Sequence, residues 1–141
     1  MKRRRIIVYV ATSADGFIAR KDGRVDWLDR PHPKGKMKYY VFTHHPPATP
    51  VKGVEFVNEP VKDFAARLRG QPGKDIWIMG GAGLIASFVD AGEVDDFIVH
   101  VIPTFIGEGI PLIAPAERTL PVTLKGTKQY EDGVVRLHYA T

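Results

Sequence analysis

The chain contains no cysteine among its 141 residues. Disulfide bonds and catalysis by a thiolate are therefore excluded, and nothing in the composition indicates an oxidising compartment. Zinc deaminase chemistry is excluded as well, because it needs cysteine ligands and an H-x-E pattern, and the sequence has neither. Cysteine enzymes and zinc deaminases are thus ruled out.

Long apolar runs are also missing. The apolar stretch at residues 6–11 is far shorter than a membrane span, and the basic residues 2–5 lead into a predicted strand rather than a signal-peptide core. The net charge is +4, yet residues 2–5 form the only dense basic cluster, without the interleaved aromatic residues that indicate nucleic-acid binding. We expect no membrane segment, no nucleic-acid partner and a cytoplasmic location.

The hydrophobic pattern is typical of one globular domain spanning residues 1–141, since 44% of the residues are hydrophobic and 26% are charged. Predicted strands lie at residues 5–12, 38–43, 54–57, 75–79 and 97–105, with amphipathic helices after the third and fourth. Asp132-Gly133 predicts a hairpin between residues 122–130 and 134–139. The predicted fold class is α/β: a three-layer αβα sandwich with a mixed, mostly parallel sheet and a C-terminal antiparallel hairpin.

A glycine-rich junction joins the predicted strand at residues 75–79 to the helix that follows. Glycines let the backbone approach a ligand closely, and the unpaired N–H groups of a helix start favour a phosphate. The candidate cofactor-binding residues are Met79, Gly80, Gly81, Ala82, Gly83 and Leu84. A classical Rossmann site also needs an acidic residue at the end of the next strand. Here that strand is predicted to end near Pro103-Thr104, and no acidic residue stands there. A tight turn whose glycines serve packing alone is the alternative interpretation.

Four segments occur in an order that covers nearly the whole chain. They are the opening at residues 8–19, residues 26–28, the junction at residues 78–82, and residues 95–112. Together they resemble the dihydrofolate-reductase-like family. The closest branch is the reductase domain at the C-terminal end of the bifunctional riboflavin-biosynthesis deaminase-reductase, with its stand-alone relatives.

The resemblance implies a hydride-transferring reductase that uses NADPH. In the family, the glycine-rich junction receives the pyrophosphate, and the residues that match Thr43 and His44 receive the adenosine phosphate. A hydroxyl beside a cationic imidazole suits a 2′-phosphate. A His-His pair before prolines is alternatively a solvated loop, and adjacent side chains on an extended chain point apart, so we expect no metal.

The first loop is where substrate and nicotinamide would meet in such a fold. Ala11 lies near the carboxyl end of the first predicted strand, where ligands gather, and is expected to contact the cofactor. Ser13 and Asp15 are expected to bind the substrate. Asp15 is also the candidate catalytic residue, able to supply a proton directly or through water, a contribution of roughly 10²-fold. The alternative is a simple Asp-Gly turn like Asp22-Gly23.

Gly107, Glu108 and Gly109 form a third candidate wall, expected to cover the nicotinamide or the substrate. Two glycines around an acid at the end of a strand permit close backbone approach. A simple bulge is the competing interpretation. We assign Glu108 to substrate binding and give it no catalytic role.

The predicted function is an NADPH-dependent reductase of a small molecule, which transfers hydride to a pyrimidine- or pterin-like heterocycle or to an attached sugar imine. The alternatives are a non-catalytic nucleotide-binding module and a dihydrofolate reductase, the latter disfavoured because its buried substrate-binding carboxylate has no match here. A homodimer is expected from the family likeness and from the long apolar strand at residues 97–105, whose edge would need covering.

One departure from the family lies between Trp27 and Tyr39. The family carries a helix, a strand and a glycine- and arginine-containing turn there, which need roughly 15 to 20 residues. Either the chain has a natural deletion near residues 33–38, or the recorded sequence joins two segments across omitted residues. The second is favoured, because losing a strand would expose core and edge groups. A join would separate adjacent Cα atoms between Pro33 and Lys36 by far more than about 3.8 Å.

Overall fold

The computed structural model describes residues 4–28 and 37–141. These residues form nine strands and two helices. In chain order the elements are β1 (Ile6–Ser13), β2 (Phe17–Ala19), β3 (Tyr39–Phe42), β4 (Val54–Val57), α1 (Val61–Arg69), β5 (Ile76–Ile78), α2 (Ala82–Asp90), β6 (Asp96–Ile102), β7 (Ile110–Pro111), β8 (Thr123–Gln129) and β9 (Val135–Ala140). The α/β fold class is confirmed.

The main sheet has five strands in the order β5-β1-β6-β9-β8. β1 is parallel to both of its neighbours, and Val8 pairs with Ile78 of β5 on one side and Phe97 of β6 on the other. The sequence of a strand buried between parallel neighbours is a nearly continuous run of β-branched and other apolar residues, and the sequence of β1 is such a run. The hairpin of β8 and β9 is antiparallel and turns at Asp132-Gly133, as predicted.

One hydrophobic core lies between this sheet and the two helices. Ile6, Val8 and Val10 alternate along β1 and all enter the same core as residues of α1 and α2. The rings of Phe64 in α1 and Phe88 in α2 meet edge to face, with centroids 6.3 Å apart. Each helix has nine residues, and along the described chain no helix is long and apolar enough to cross a membrane.

Aromatic side chains lie on the opposite face of β1. The rings of Tyr9 and Trp77 stack with centroids 4.6 Å apart, and Tyr9 meets His100 edge-on at 5.3 Å. Trp77 remains 42% exposed and stands two residues before Met79, where the glycine-rich junction begins. Its indole therefore offers a fluorescence signal beside that junction.

Strand β6 differs from the prediction in both length and surroundings. It ends at Ile102 rather than at residue 105, because Pro103 has no N–H to continue the ladder. β6 lies between β1 and β9, and both of its edges are hydrogen-bonded. The expectation that its edge needs covering is therefore wrong, and the homodimer prediction loses this support.

Strands β3 and β4 form a separate parallel pair, and the five-stranded sheet ends at β5. Within residues 4–28 and 37–141, no ladder joins the pair to that sheet. The predicted join between Pro33 and Lys36 lies in residues 29–36, outside the described ranges. It stays a prediction.

A partly buried ion pair joins Arg5, just before β1, to Asp96 at the start of β6. Arg5 Nη2 donates to Asp96 Oδ1 at 2.6 Å, and Arg5 Nε donates to Asp96 Oδ2 at 2.9 Å. The Asp96 side chain is only 7% exposed. The hydrogen bonds from Arg5 lower the pKa of Asp96, against the opposing effect of burial.

We expect Asp96→Asn to lower stability at neutral pH and to flatten its acid dependence. A carboxylate with a lowered folded-state pKa stabilises the fold above its unfolded pKa of about 3.9, and this stabilisation disappears as the pH falls through the folded value. Urea unfolding at pH 7 and pH 3 measures the effect. Asp90→Asn is the matched control, since Asp90 pairs with Arg118 in the same two-bond geometry with its own side chain 56% exposed. Equal losses for both variants would contradict the prediction.

Candidate functional site

Three loops leave the same edge of the sheet. β5, β1 and β6 are parallel neighbours, so their carboxyl ends lie together. The glycine-rich junction follows β5, residues 14–16 follow β1, and residues 103–109 follow β6. This is the edge where open α/β sheets hold their ligands. The fold therefore brings the junction, Asp15 and Gly107 to one region, as the sequence predicted.

The glycine-rich junction leaves open space above its backbone. Gly80 has a φ of +131°, which residues with a Cβ rarely adopt. Gly81 is the N-cap of α2, and no side chain caps this helix start. A Cβ added at Gly81 or Gly83 would meet no atom within 4 Å. Packing therefore does not explain why Gly81 and Gly83 lack side chains.

The residues around these glycines divide by exposure. Met79 is 47% exposed, whereas Ala82 is buried and Leu84 packs against the core. The Ala82 carbonyl accepts a hydrogen bond from the Ala114 N–H at 3.1 Å. The Ala82 and Leu84 side chains thus face the interior, which leaves their backbone as the part that faces the junction.

The Asp15 carboxylate connects the first loop to the loop after β6. It accepts hydrogen bonds from Ser13 Oγ at 2.6 Å, from the Gly107 N–H at 2.8 Å and from the Ile106 N–H at 3.2 Å. The hydrogen bond from Ser13 is the largest cause that lowers the pKa of Asp15, and those from the two backbone N–H groups act in the same direction. Asp15 is therefore an ionised acceptor.

Ser13 supports Asp15 from the interior. Its side chain belongs to a residue that is 1% exposed, and its hydroxyl accepts from the Phe17 N–H at 3.0 Å while it donates to Asp15. A backbone hydrogen bond also joins the two loops, from the Ala14 N–H to the Thr104 carbonyl at 2.8 Å. The Ser13 hydroxyl thus lies beneath Asp15 and is engaged within the protein, and its expected contact with the substrate stays a prediction.

Glu108 and Gly109 follow in the loop after β6. Glu108 forms an ion pair with Lys21 at 2.9 Å, and both side chains are about 70% exposed. Gly109 lies against β2, where an added Cβ would stand 2.3 Å from the Ala19 carbonyl oxygen. Gly109 belongs to the predicted wall, but its close approach to Ala19 depends on β2, which the sequence did not predict.

Thr43 and His44 lie just after β3. Thr43 Oγ1 accepts from the His45 N–H at 3.0 Å, and His44 Nδ1 lies 2.8 Å from Asn58 Oδ1. With Nδ1 donating to that oxygen, Nε2 of the exposed His44 ring remains directed away from Asn58. The preceding Phe42 ring lies 5.9 Å from Phe88 of α2, which places this loop on the side of the helix that follows the junction.

Ala11, a predicted cofactor contact, and Phe105, which was not a predicted site residue, lie at the same edge of the sheet. Ala11 pairs with His100 in the ladder between β1 and β6 and is partly buried. Phe105 is 78% exposed, although its apolar surroundings in the sequence predicted a strand. It follows Pro103 and Thr104 out of the sheet, and it lies between two residues whose backbone is hydrogen-bonded to the first loop.

The sheet order, with the glycine-rich junction and the three loops at one edge, is that of an α/β domain with the dihydrofolate-reductase-like fold. Residues 59–136 match the sequence profile of the RibD C-terminal domain. The chain belongs to this family. It is 35% identical over 170 residues to an uncharacterized protein of Bacillus subtilis, YwjB, with 96% of this chain and 97% of that protein covered.

Two solved structures share the fold. One is a diaminohydroxyphosphoribosylaminopyrimidine deaminase/5-amino-6-(5-phosphoribosylamino)uracil reductase from Thermotoga maritima, with a TM-score of 0.72, 13% identity, and coverage of 98% of this chain and 56% of that chain. The other is dihydrofolate reductase from Enterococcus faecalis complexed with NADP(H), with a TM-score of 0.65, 15% identity, and coverage of 96% and 95%.

The alignment with the Bacillus subtilis relative is longer than the chain itself. It extends over 170 positions, whereas the chain has 141 residues, so the relative carries residues without a counterpart here.

Proposed function

We propose that the chain is an NADPH-dependent reductase that transfers hydride to a pyrimidine- or pterin-like heterocycle or to an attached sugar imine. The open space over Gly81 and Gly83, at the sheet edge shared with the Asp15 and Gly107 loops, carries this proposal. Membership of the RibD C-terminal domain family supports a reductase of the riboflavin pathway type. The Thermotoga maritima relative, an aminouracil reductase by name, supports a pyrimidine substrate.

The junction fits the pyrophosphate of the cofactor. The first N–H groups of α2 have no partner within the helix and no side-chain cap, and the first turn of α2 has no acidic residue to repel an anion. Because Gly81 and Gly83 have no side chains above them, the phosphates would lie directly on the backbone. Gly80 would supply the turn, Met79 would contact the cofactor from its exposed position, and Ala82 and Leu84 would contribute their backbone.

The substrate and nicotinamide would lie between the loops after β1 and β6. The small side chain of Ala11 would allow the nicotinamide to approach the sheet, and the loop of Gly107 and Glu108 would form the facing wall. When bound, NADPH supplies a hydride. Reduction of a C=N bond also needs a proton at the nitrogen, which solvent at this open edge can provide.

We expect NADPH to bind more tightly than NADH, because Thr43 and the imidazolium form of His44, which carries an N–H on Nε2 as well as on Nδ1, would donate hydrogen bonds to the 2′-phosphate. One charge-assisted hydrogen bond contributes about 1.5 to 3 kcal/mol, so His44→Ala should reduce the preference about tenfold or more. Titration of each cofactor, followed by nicotinamide fluorescence, measures both affinities. His45→Ala removes the neighbouring imidazole and is the control. Equal affinities in the parent protein would withdraw the role of Thr43 and His44 and leave the reductase proposal in place.

A turnover assay tests the function itself. The protein is incubated with NADPH and a panel of aminopyrimidines, pterins and sugar imines, and NADPH oxidation is followed by absorbance. Turnover of an aminopyrimidine supports the proposal. Cofactor binding without oxidation across the panel would favour the alternative, a nucleotide-binding module. Turnover of dihydrofolate alone would favour a dihydrofolate reductase.

A further inference from the structure

The Asp15 clasp is the network in which Ser13 Oγ and the N–H groups of Ile106 and Gly107 all donate to the Asp15 carboxylate. Oδ1 accepts from Ser13 and Ile106, and Oδ2 accepts from Gly107. The donors come from the end of β1 and from a loop more than 90 residues away in the chain. One side chain therefore joins two walls of the candidate site.

This arrangement does not suit a proton donor. Both carboxylate oxygens face N–H or O–H groups, so a proton placed on either oxygen would oppose a donor and cost at least one hydrogen bond. The ionised form accepts all three bonds, and bonds to an ionised acceptor are the stronger kind. Ser13 does not suit a proton donor either, because its hydroxyl is buried and already donates to Asp15.

The clasp determines where the loop after β6 lies. The loop is held at its start by the bond from Ala14 to Thr104 and at its end by the pairing of β7 with β2. Between these points, the carboxylate of Asp15 holds the backbone on the far side of Phe105. The Phe105 side chain is 78% exposed on a backbone that is fastened on both sides. A large apolar ring held rigidly in solvent is suited to covering a planar ligand.

We infer that Asp15 is a positioning residue, which holds the Phe105–Gly107 backbone so that this loop covers the substrate ring, and that the proton of the reaction comes from water. The inference rests on the proposed function and refines it. It replaces the proton-donor role first expected for Asp15. In this arrangement the Ser13 hydroxyl orients the Asp15 carboxylate.

Amide exchange tests the clasp without any substrate. Asp15→Asn keeps the shape but turns one acceptor oxygen into an NH₂ donor, so exchange at the Ile106 and Gly107 amides should accelerate about tenfold or more in the full chain, measured by NMR. Ser13→Ala should give a smaller change in the same direction, because both backbone bonds remain. Asp22→Asn is the matched control, an Asp-Gly turn whose carboxylate accepts from the N–H and the Nε–H of Arg24. Unchanged exchange in Asp15→Asn would overturn the clasp.

Kinetics separate positioning from proton donation. For Asp15→Asn we expect kcat to fall about 10- to 100-fold, KM for the heterocycle to rise, NADPH affinity to hold, and the shape of the kcat–pH profile to persist. If the kcat–pH profile of Asp15→Asn loses a pH-dependent limb that the parent shows, while amide exchange stays unchanged, Asp15 is the proton donor. Faster exchange with parent kcat and KM would reduce the clasp to a structural role. If the parent reduces nothing in the panel, the proposed function fails, and the exchange result alone decides the clasp.

Discussion

Gly81→Val should weaken cofactor binding by about 100-fold or more while the protein remains folded. Gly81 has a φ of −89° in extended backbone, and a Cβ there meets no atom within 4 Å, so valine fits the folded chain. The branched side chain would occupy the space that the pyrophosphate needs over the start of α2. Losing two hydrogen bonds to a charged group, at about 1.5 to 3 kcal/mol each, gives this expected change in Kd.

The control for this variant is Gly126→Val. Gly126 lies in β8, has the same open space around its Cβ position, and is away from the junction, so valine there should leave NADPH affinity at the parent value. Titration with NADPH, followed through quenching of Trp77 fluorescence, measures affinity, and thermal melting confirms that each variant folds. Parent affinity in a folded Gly81→Val protein would mean that the cofactor does not lie on this junction.

The sequence predicted those helices, strands and turns whose formation depends on residues close together in the chain. β4 was predicted with its observed bounds, and α1, predicted to follow it, lies between Pro60 at its N-cap and Gly70 at its C-cap. Helix periodicity, a proline in the first turn and a terminal glycine all act within a few residues, so a single sequence contains them. The Asp132-Gly133 hairpin belongs to the same class, because its turn and both strands are adjacent in the chain.

Contacts between distant residues were the part that the sequence did not reveal. β2 and β7 have three and two residues, and each is a strand only because the other lies beside it, about 90 residues away. β6 was predicted too long because its apolar pattern continues to Phe105, whereas Pro103 ends the ladder. The residues of the site were therefore easier to predict than their contacts.

Asp15 illustrates this difference. Its position beside Gly16 after the first strand predicted a functional or turn carboxylate, and no local pattern distinguishes the two. Its partners Ile106 and Gly107 become visible only when β1 and β6 are adjacent and parallel. The chemical role we assign to Asp15 follows from those partners.

Gly109→Ala should destabilise the fold and displace the loop that carries Phe105 and Gly107. The added Cβ would stand 2.3 Å from the Ala19 carbonyl oxygen and 3.1 Å from Phe17 Cβ, and a backbone oxygen cannot rotate away as a flexible side chain can. β2 and β7 must then separate. Overpacking of this kind costs about 1 to 3 kcal/mol, and sometimes more.

Urea unfolding measures the loss of stability, and Gly126→Ala is the control because its Cβ would meet no atom within 4 Å. Amide exchange at Gly107 reports on the loop, and we expect it to accelerate in Gly109→Ala even where the main sheet stays folded, since β2 and β7 form a two-stranded sheet of their own. NADPH affinity should fall by less than in Gly81→Val, because the pyrophosphate site at the junction after β5 does not depend on this contact. A Gly109→Ala protein with parent stability and parent exchange at Gly107 would show that the loop yields without cost, and the loop would then lose its place as a fixed wall of the site.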